Sequence, residues 1–294
     1  MSDAAANVAI VGGGLAGLSA ALALAERGCA VELFEARRNL GGRAGSFVDN
    51  TTGETIDHCQ HVAMGCCTNY LDFCRRVGAR SLLRRVRTLN FIGPRGERCT
   101  FRPASWLPAP LHLAAGMRGL RYFTRGARMS IMRALRRLAR LRGDATATTV
   151  GQWLKSEGQT PKQVEWFWSV VLVSALGEDL ERASLAAARK VFVDGFMAAR
   201  SAYEVYIPTV PLAMIYDTFV ARRLAQLGVA IHRETAVERL VGTAAGAEAI
   251  VLRDGSRREF DQYVMAVPWR TVGRVLDEAS AATMPELVRL GQMP

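Results

Sequence analysis

Lysine is almost absent from this chain of 294 residues: Lys155, Lys162 and Lys190 are the only three, so the formal charge of +11 is carried by arginine. Equally missing is any apolar run near the ~20 residues that a membrane-spanning helix needs. The longest such runs, residues 20–25 and 170–173, fall far short of that. No N-terminal stretch has the basic, apolar and small-residue zones of a secretory signal. The six cysteines include the neighbours Cys66 and Cys67, and a chain this large needs no staples. A reduced, cytoplasmic setting is therefore expected. With 50% of the residues hydrophobic and 22% charged, global disorder and low complexity are excluded. The length allows one large α/β domain or two smaller ones around a substantial core.

What is present at the N-terminal end is a dinucleotide-binding pattern. Asn7-Val-Ala-Ile-Val11 reads as a short buried strand running into Gly12-Gly-Gly-Leu-Ala-Gly17, then a helix over residues 18–27 rich in Ala and Leu. Gly28 ends that helix, and Ala30-Val-Glu-Leu-Phe34 reads as a second buried strand closing on Glu35. Within the G-x-G-x-x-G, Gly12 permits the tight turn, Gly14 lets a pyrophosphate approach the backbone, and Gly17 brings helix and strand together. The N-terminus of that helix offers N–H groups and partial positive charge to phosphates. Glu35 stands where a carboxylate accepts hydrogen bonds from a ribose hydroxyl. A glycine triplet alone is weak evidence; between two strands with an acid at the end it is strong.

The next segment, Arg37-Arg-Asn-Leu-Gly-Gly-Arg-Ala-Gly-Ser46, resembles the paired-glycine motif of the flavoproteins that include amine oxidases and carotenoid desaturases. That resemblance implies FAD as the cofactor, with Gly41 and Gly42 passing close to it and Arg43 neutralising pyrophosphate charge. It also implies that Val237 touches the adenine through its backbone. The expected cofactor contacts are Gly12, Gly14, Leu15, Ala16, Gly17, Glu35, Ala36, Arg37, Gly42, Arg43 and Val237. The expected fold is α/β, a Rossmann-like FAD-binding domain over residues 1–85 and 223–294. Into it is inserted an α+β, largely helical substrate domain over residues 86–222. Segments 228–240 and 260–268 read as strands returning to the FAD domain, and Asp254-Gly255 as a hairpin turn between them.

The insert concentrates the charge. A proline-broken apolar loop over residues 101–113 precedes one amphipathic helix expected over 117–142, with Met117, Leu120, Phe123, Ala127, Ile131, Leu135 and Leu138 on one face and arginines around the rest. Two readings stand: a docking face for an anionic membrane surface, or a solvated face of an internally packed helix. Nucleic acid is not expected, because no aromatic and glycine interleaving or known module accompanies the arginines.

Over essentially the whole chain the sequence resembles the squalene-associated flavoproteins, the hydroxysqualene dehydroxylases, of the amine oxidase and phytoene desaturase superfamily. The resemblance is carried by Asp57-His-Cys-Gln-His61, Pro108-Ala-Pro-Leu-His-Leu113, Thr149-Val-Gly-Gln-Trp-Leu154, Lys190-Val-Phe-Val-Asp-Gly195 and Ile207-Pro-Thr-Val-Pro-Leu212. It implies reductive removal of a hydroxyl from hydroxysqualene, a lipophilic isoprenoid, giving squalene. From the cysteine usage and the basic helix beside the apolar loop, a cytoplasmic protein peripheral to the inner face of the membrane is expected. Carotenoid desaturation shares the scaffold and is the alternative, as is a non-catalytic flavin-binding subunit.

Two departures stand out. Cys59 occupies a position where the superfamily commonly has glycine, and the strand–Gly–Asp segment that closes the flavin site in relatives is not found, so the chain is expected to be C-terminally incomplete. His61 is the catalytic candidate, as proton donor or as a residue that merely orients its loop. Asp57 is expected as a structural acceptor. No metal is expected, since His58, Cys59, His61, Cys66 and Cys67 match no zinc spacing well. Trp166, Phe167 and Trp168 form core or line a tunnel, core being favoured.

Overall fold

A computed structural model describes residues 5–143, 145–243 and 246–291; Met1 and Pro294, the two chain ends, lie outside the described residues. The chain divides into two compact units, one formed by Met1–His61, Asp72–Leu83 and Pro208–Pro294, the other by Val62–Leu71 and Arg84–Ile207.

The first unit is built on a parallel sheet. Strand β1 (Asn7–Val11), helix α1 (Leu15–Ala25) and strand β2 (Ala30–Phe34) follow one another, and β3 (Ala230–His232) and β4 (Gln262–Met265) return from far along the chain. The order is β3-β2-β1-β4, all neighbours parallel. Apart from Asn7 and Glu32, both central strands are apolar, because a parallel sheet is covered on both faces. Helix α1 begins at Leu15, three residues before its expected start, because Gly14 is extended (φ −73°, ψ 177°) and the helix winds up at once. Its buried side, Leu18, Ala21, Leu22 and Ala25, follows the three-to-four spacing of a helix face. Gly28, at φ 87°, turns the chain into β2.

An antiparallel sheet of Val237–Thr243, Gly246–Leu252 and Arg257–Glu259 completes this unit. Its hairpin turn is the expected Asp254-Gly255, where Asp254 Oδ1 accepts from the Ser256 N–H at 2.9 Å. Ala9, Val11 and Phe34 from the parallel sheet pack with Leu240, Ile250 and Leu252 of the antiparallel one.

The second unit is largely helical around Trp153, Trp168, Leu172 and Phe192, with small antiparallel ladders at its rim. Trp168 is fully buried and its indole N–H donates to Gln159 Oε1 at 3.0 Å; Trp166 and Phe167 pack partly buried against the same core. The sequence places the insert at residues 86–222, whereas the structure sets its boundaries elsewhere. Residues 62–71 join the second unit because Ala63–Met64 pairs antiparallel with Val205–Pro208. Residues 208–222 join the first because Asp217 ties to Leu40.

The single amphipathic helix expected over 117–142 is two helices, α2 (His112–Gly119) and α3 (Arg125–Arg140). A Cβ at Gly119 would lie 1.9 Å from the Thr100 carbonyl oxygen, so α2 lies flush on the strand Arg98–Phe101 and the chain must turn away. Thr124 restarts the helix by accepting from the Ala127 N–H at 3.2 Å. The apolar spacing is real, but Met117 and Leu120 serve one piece and Ile131 and Leu138 the other.

Candidate cofactor site

Gly12 and Gly17 of the loop after β1 each have a separate steric reason. Gly12 has φ 108°, and a Cβ there would lie 2.6 Å from the Ala266 carbonyl oxygen just after β4. A Cβ at Gly17 would lie 1.9 Å from the Gly12 carbonyl oxygen, so helix and strand touch backbone to backbone. Gly14 differs: a Cβ there would meet nothing within 4 Å. The space above it is open, and no side chain caps α1. The N–H groups of Leu15 and Ala16 belong to the first turn, whose donors have no partner within the helix. An uncapped helix start facing open space is an anion cradle.

Glu35 faces this cradle from the end of β2. It is 9% exposed, and its Oε2 accepts from the Gly13 N–H at 2.7 Å while Oε1 accepts from the Arg37 N–H at 2.8 Å. The Thr235 N–H donates to the Glu35 carbonyl at 2.9 Å, which brings the start of the antiparallel sheet, and with it Val237, beside the acid. Ala36 and Arg37 are exposed on the same rim.

The paired glycines close over the loop. Gly41 (φ 95°) donates its N–H to the Gly13 carbonyl at 2.9 Å. A Cβ at Gly42 (φ 58°) would lie 3.2 Å from Gly14 Cα. Arg43 follows in a short turn, exposed and without an ion pair among the described residues, so its charge is free for an anionic ligand. Sequence reasoning missed what braces this pair. Asp217 Oδ1 accepts from the Leu40 N–H at 2.9 Å and from Arg233 Nη1 at 2.7 Å, and the Tyr216 ring packs where a Gly41 side chain would sit. Asp217 is 177 residues from Leu40, and no linear signal announces the contact.

Asp57 is the structural acceptor expected. Its Oδ1 accepts from Ser46 Oγ at 2.6 Å and from the Leu212 N–H at 2.9 Å, and Ser46 Oγ in turn accepts from the Ala213 N–H at 2.8 Å. Together they cap the helical turns over 212–226. His61 is tied to its own loop: Nδ1 lies 2.8 Å from the Cys59 carbonyl oxygen, and Cys59 Sγ is 3.5 Å from each ring nitrogen. Cys59 thus takes the place of the usual glycine by turning its side chain onto the histidine. Among the described residues no three His, Cys, Asp or Glu side chains converge as a metal site, and the six cysteines are free thiols.

One polar group in the second unit escaped the sequence reading. His112 is fully buried, and among the described residues neither ring nitrogen has a hydrogen-bond partner. Burial, followed by the charge of Arg200, holds its pKa below the ordinary value of 6.5.

A glycine loop open at its centre, a buried acid beside it and a second glycine pair over it make the first unit a dinucleotide-binding scaffold of the flavoprotein type. Comparison with known proteins agrees. Residues 15–289 match the family described as flavin containing amine oxidoreductase, and the chain belongs to that family. Its cofactor is FAD, and the cradle fits it: the steric room lies at Gly14, and the donors and the acid surround that room.

Among curated proteins, zeta-carotene desaturase of Solanum lycopersicum is 39% identical over 107 residues, which is 36% of this chain and 18% of that protein. Hydroxysqualene dehydroxylase of Sinorhizobium fredii is 39% identical over 75 residues, 26% of this chain and 18% of that protein. The crystal structure of an oxidoreductase from Methanosarcina mazei superposes with a TM-score of 0.71 at 16% identity, covering 98% of this chain and 65% of that one. The chain thus spans under two thirds of that solved structure's length, and its matched stretches under a fifth of each of these two curated relatives.

Proposed function

We propose that the chain acts in reductive dehydroxylation of hydroxysqualene to squalene, as an FAD-dependent oxidoreductase on a lipophilic isoprenoid. The observation that carries the flavin part is the open space at Gly14, ringed by the first turn of α1, Glu35 and the Gly41–Gly42 pair. The Pro108–Leu113 and Lys190–Gly195 segments, together with the Sinorhizobium fredii match, support the substrate.

Bound FAD would supply two-electron hydride chemistry. The chain's own residues do the rest. The N–H groups of Gly14, Leu15 and Ala16 hold the diphosphate, Arg43 adds positive charge, and Glu35 accepts from the ribose hydroxyl. The backbone of Val237 borders the adenine. His61, as the imidazolium, would keep its Nδ1–H on the Cys59 carbonyl and give its Nε2 proton to the departing hydroxyl. Replacing C–OH by C–H consumes one hydride and one proton and releases one water.

The 107-residue match to a zeta-carotene desaturase favours a second reading, in which a hydride leaves a polyene instead. Product analysis separates the two. The FAD-loaded chain is incubated with hydroxysqualene and a reductant, and separately with zeta-carotene and a quinone acceptor. Squalene alone supports the first reading, and desaturated carotene alone the second. Formation of neither refutes both.

A further inference from the structure

The stretch from Arg98 to Gly143 holds eleven arginines and no Asp or Glu, a surplus as large as the net charge of +11 of the whole chain. Its longest element is α3, whose apolar side is spent internally. Ile131, Ala134 and Leu138 are buried in the core of the second unit, so the helix cannot lay that side into a bilayer. The simple amphipathic-helix expectation is corrected there.

The opposite side tells more. At about 100° per residue, Arg125, Met129, Met132, Arg133, Arg136 and Arg140 fall within one exposed sector roughly 100° wide. All six are exposed, Met129 at 64% and Met132 at 36%. Among the described residues, none of the four arginines in the sector has an ion pair; the one arginine of α3 that does, Arg137, reaches Glu157 at 2.7 Å from the flank.

A helix face that merely faces water ordinarily mixes both signs, because i,i+4 pairs stabilise it and like charges repel. Here four uncompensated guanidiniums stand one or two turns apart on a single helix. Between them sit two exposed methionines, with no aromatic residue anywhere in α3 on which a base could stack. The charge calls for a dense array of anions, and the methionines call for an apolar layer just beneath it.

We propose that the exposed face of α3 is a docking surface for an anionic lipid bilayer, with Arg125, Arg133, Arg136 and Arg140 against the headgroups and Met129 and Met132 entering the acyl boundary. This does not depend on which reaction the chain carries out. Each arginine near such a surface contributes a factor of about five in affinity at moderate ionic strength, and the attraction decays over a Debye length of about 8–10 Å.

The test is flotation of the purified, FAD-loaded full chain with vesicles of equal phosphatidylglycerol and phosphatidylcholine, against vesicles of phosphatidylcholine alone. Binding is expected to the first only, and to fall steeply between 0.05 and 0.5 M salt. The variant R125Q/R133Q/R136Q/R140Q is expected to lose binding by about two orders of magnitude or more, from a factor of about five per arginine. The charge-preserving variant R125K/R133K/R136K/R140K keeps it, which excludes misfolding as the cause. R222Q/R253Q/R270Q/R274Q removes the same charge from exposed sites in the first unit and is expected to bind within twofold of wild type. Equal loss in both glutamine variants would overturn the proposal, since net charge alone would then explain binding. So would indifference to lipid charge, or capture of a single-stranded oligonucleotide in place of the vesicles.

Discussion

Alanine at Gly14 separates two roles that a glycine loop usually confounds. Gly14 is extended (φ −73°, ψ 177°), a conformation alanine adopts freely, and a Cβ there meets nothing within 4 Å. Without ligand, G14A should cost nothing. By restricting the unfolded chain it gains about 0.4–1 kcal/mol. With ligand, the same methyl stands where a phosphate must come. Displacing the diphosphate by that much forfeits one or more charge-assisted hydrogen bonds, each worth about 1.5–3 kcal/mol, so FAD binding weakens at least about tenfold.

Gly17 is the control. A Cβ there lies 1.9 Å from the Gly12 carbonyl oxygen, which is backbone and has nowhere to go. G17A should destabilise the apoprotein itself by about 1–3 kcal/mol, the usual cost of overpacking. Thermal melts of the apoproteins followed by circular dichroism, with flavin-fluorescence titration of each, read both quantities. If G14A binds FAD within twofold of wild type, or melts as early as G17A, the cradle is wrongly placed.

Three further outcomes follow from the geometry. E35Q removes the charged acceptor shared by the Gly13 and Arg37 N–H groups, so the apoprotein should lose about 1–3 kcal/mol in urea titration and bind FAD roughly tenfold more weakly. S46A leaves the Ala213 N–H without its acceptor and should cost about 0.5–2 kcal/mol, the range for a lost helix cap, without altering FAD affinity. The His112 imidazole titrates below 6.5 in the folded protein, so the unfolded chain takes up its proton first and stability declines as the pH falls from about 6.5. H112L should flatten that part of the pH profile in denaturant titrations between pH 5 and 8. It should also cost under about 1 kcal/mol, because it removes a ring with no hydrogen-bond partners.

What the sequence made legible was whatever is local. Strands Asn7–Val11 and Ala30–Phe34 lie where the apolar pattern puts them, because period and length there leave no other solution. The glycine spacing announced the turn, since Gly17 answers to Gly12 five residues back and Gly14 to the ligand; only the contact of Gly12 with Ala266 lay beyond local reading. The break between α2 and α3 was illegible, because apolar spacing continues through residues 120–124 and only the strand beneath Gly119 forces the turn. Asp217, Tyr216 and Arg233 were invisible for a related reason. They act on the Leu40–Gly41 turn from far along the chain, and nothing in their own surroundings marks them. His112 was hidden by its setting, an apolar loop that gives no sign of a buried imidazole.

The place of β4 bears on when the protein becomes competent for its ligand. Gly12 is seated against Ala266, and the Asn7 N–H is held by Asp261 across 254 residues of sequence. On the ribosome, at roughly 5–20 residues per second, the nucleotide pocket therefore waits some tens of seconds after its first glycine emerges. Through that interval one side of β1 has no neighbour, so the nascent chain is most vulnerable to mispairing just before cofactor capture ends the risk.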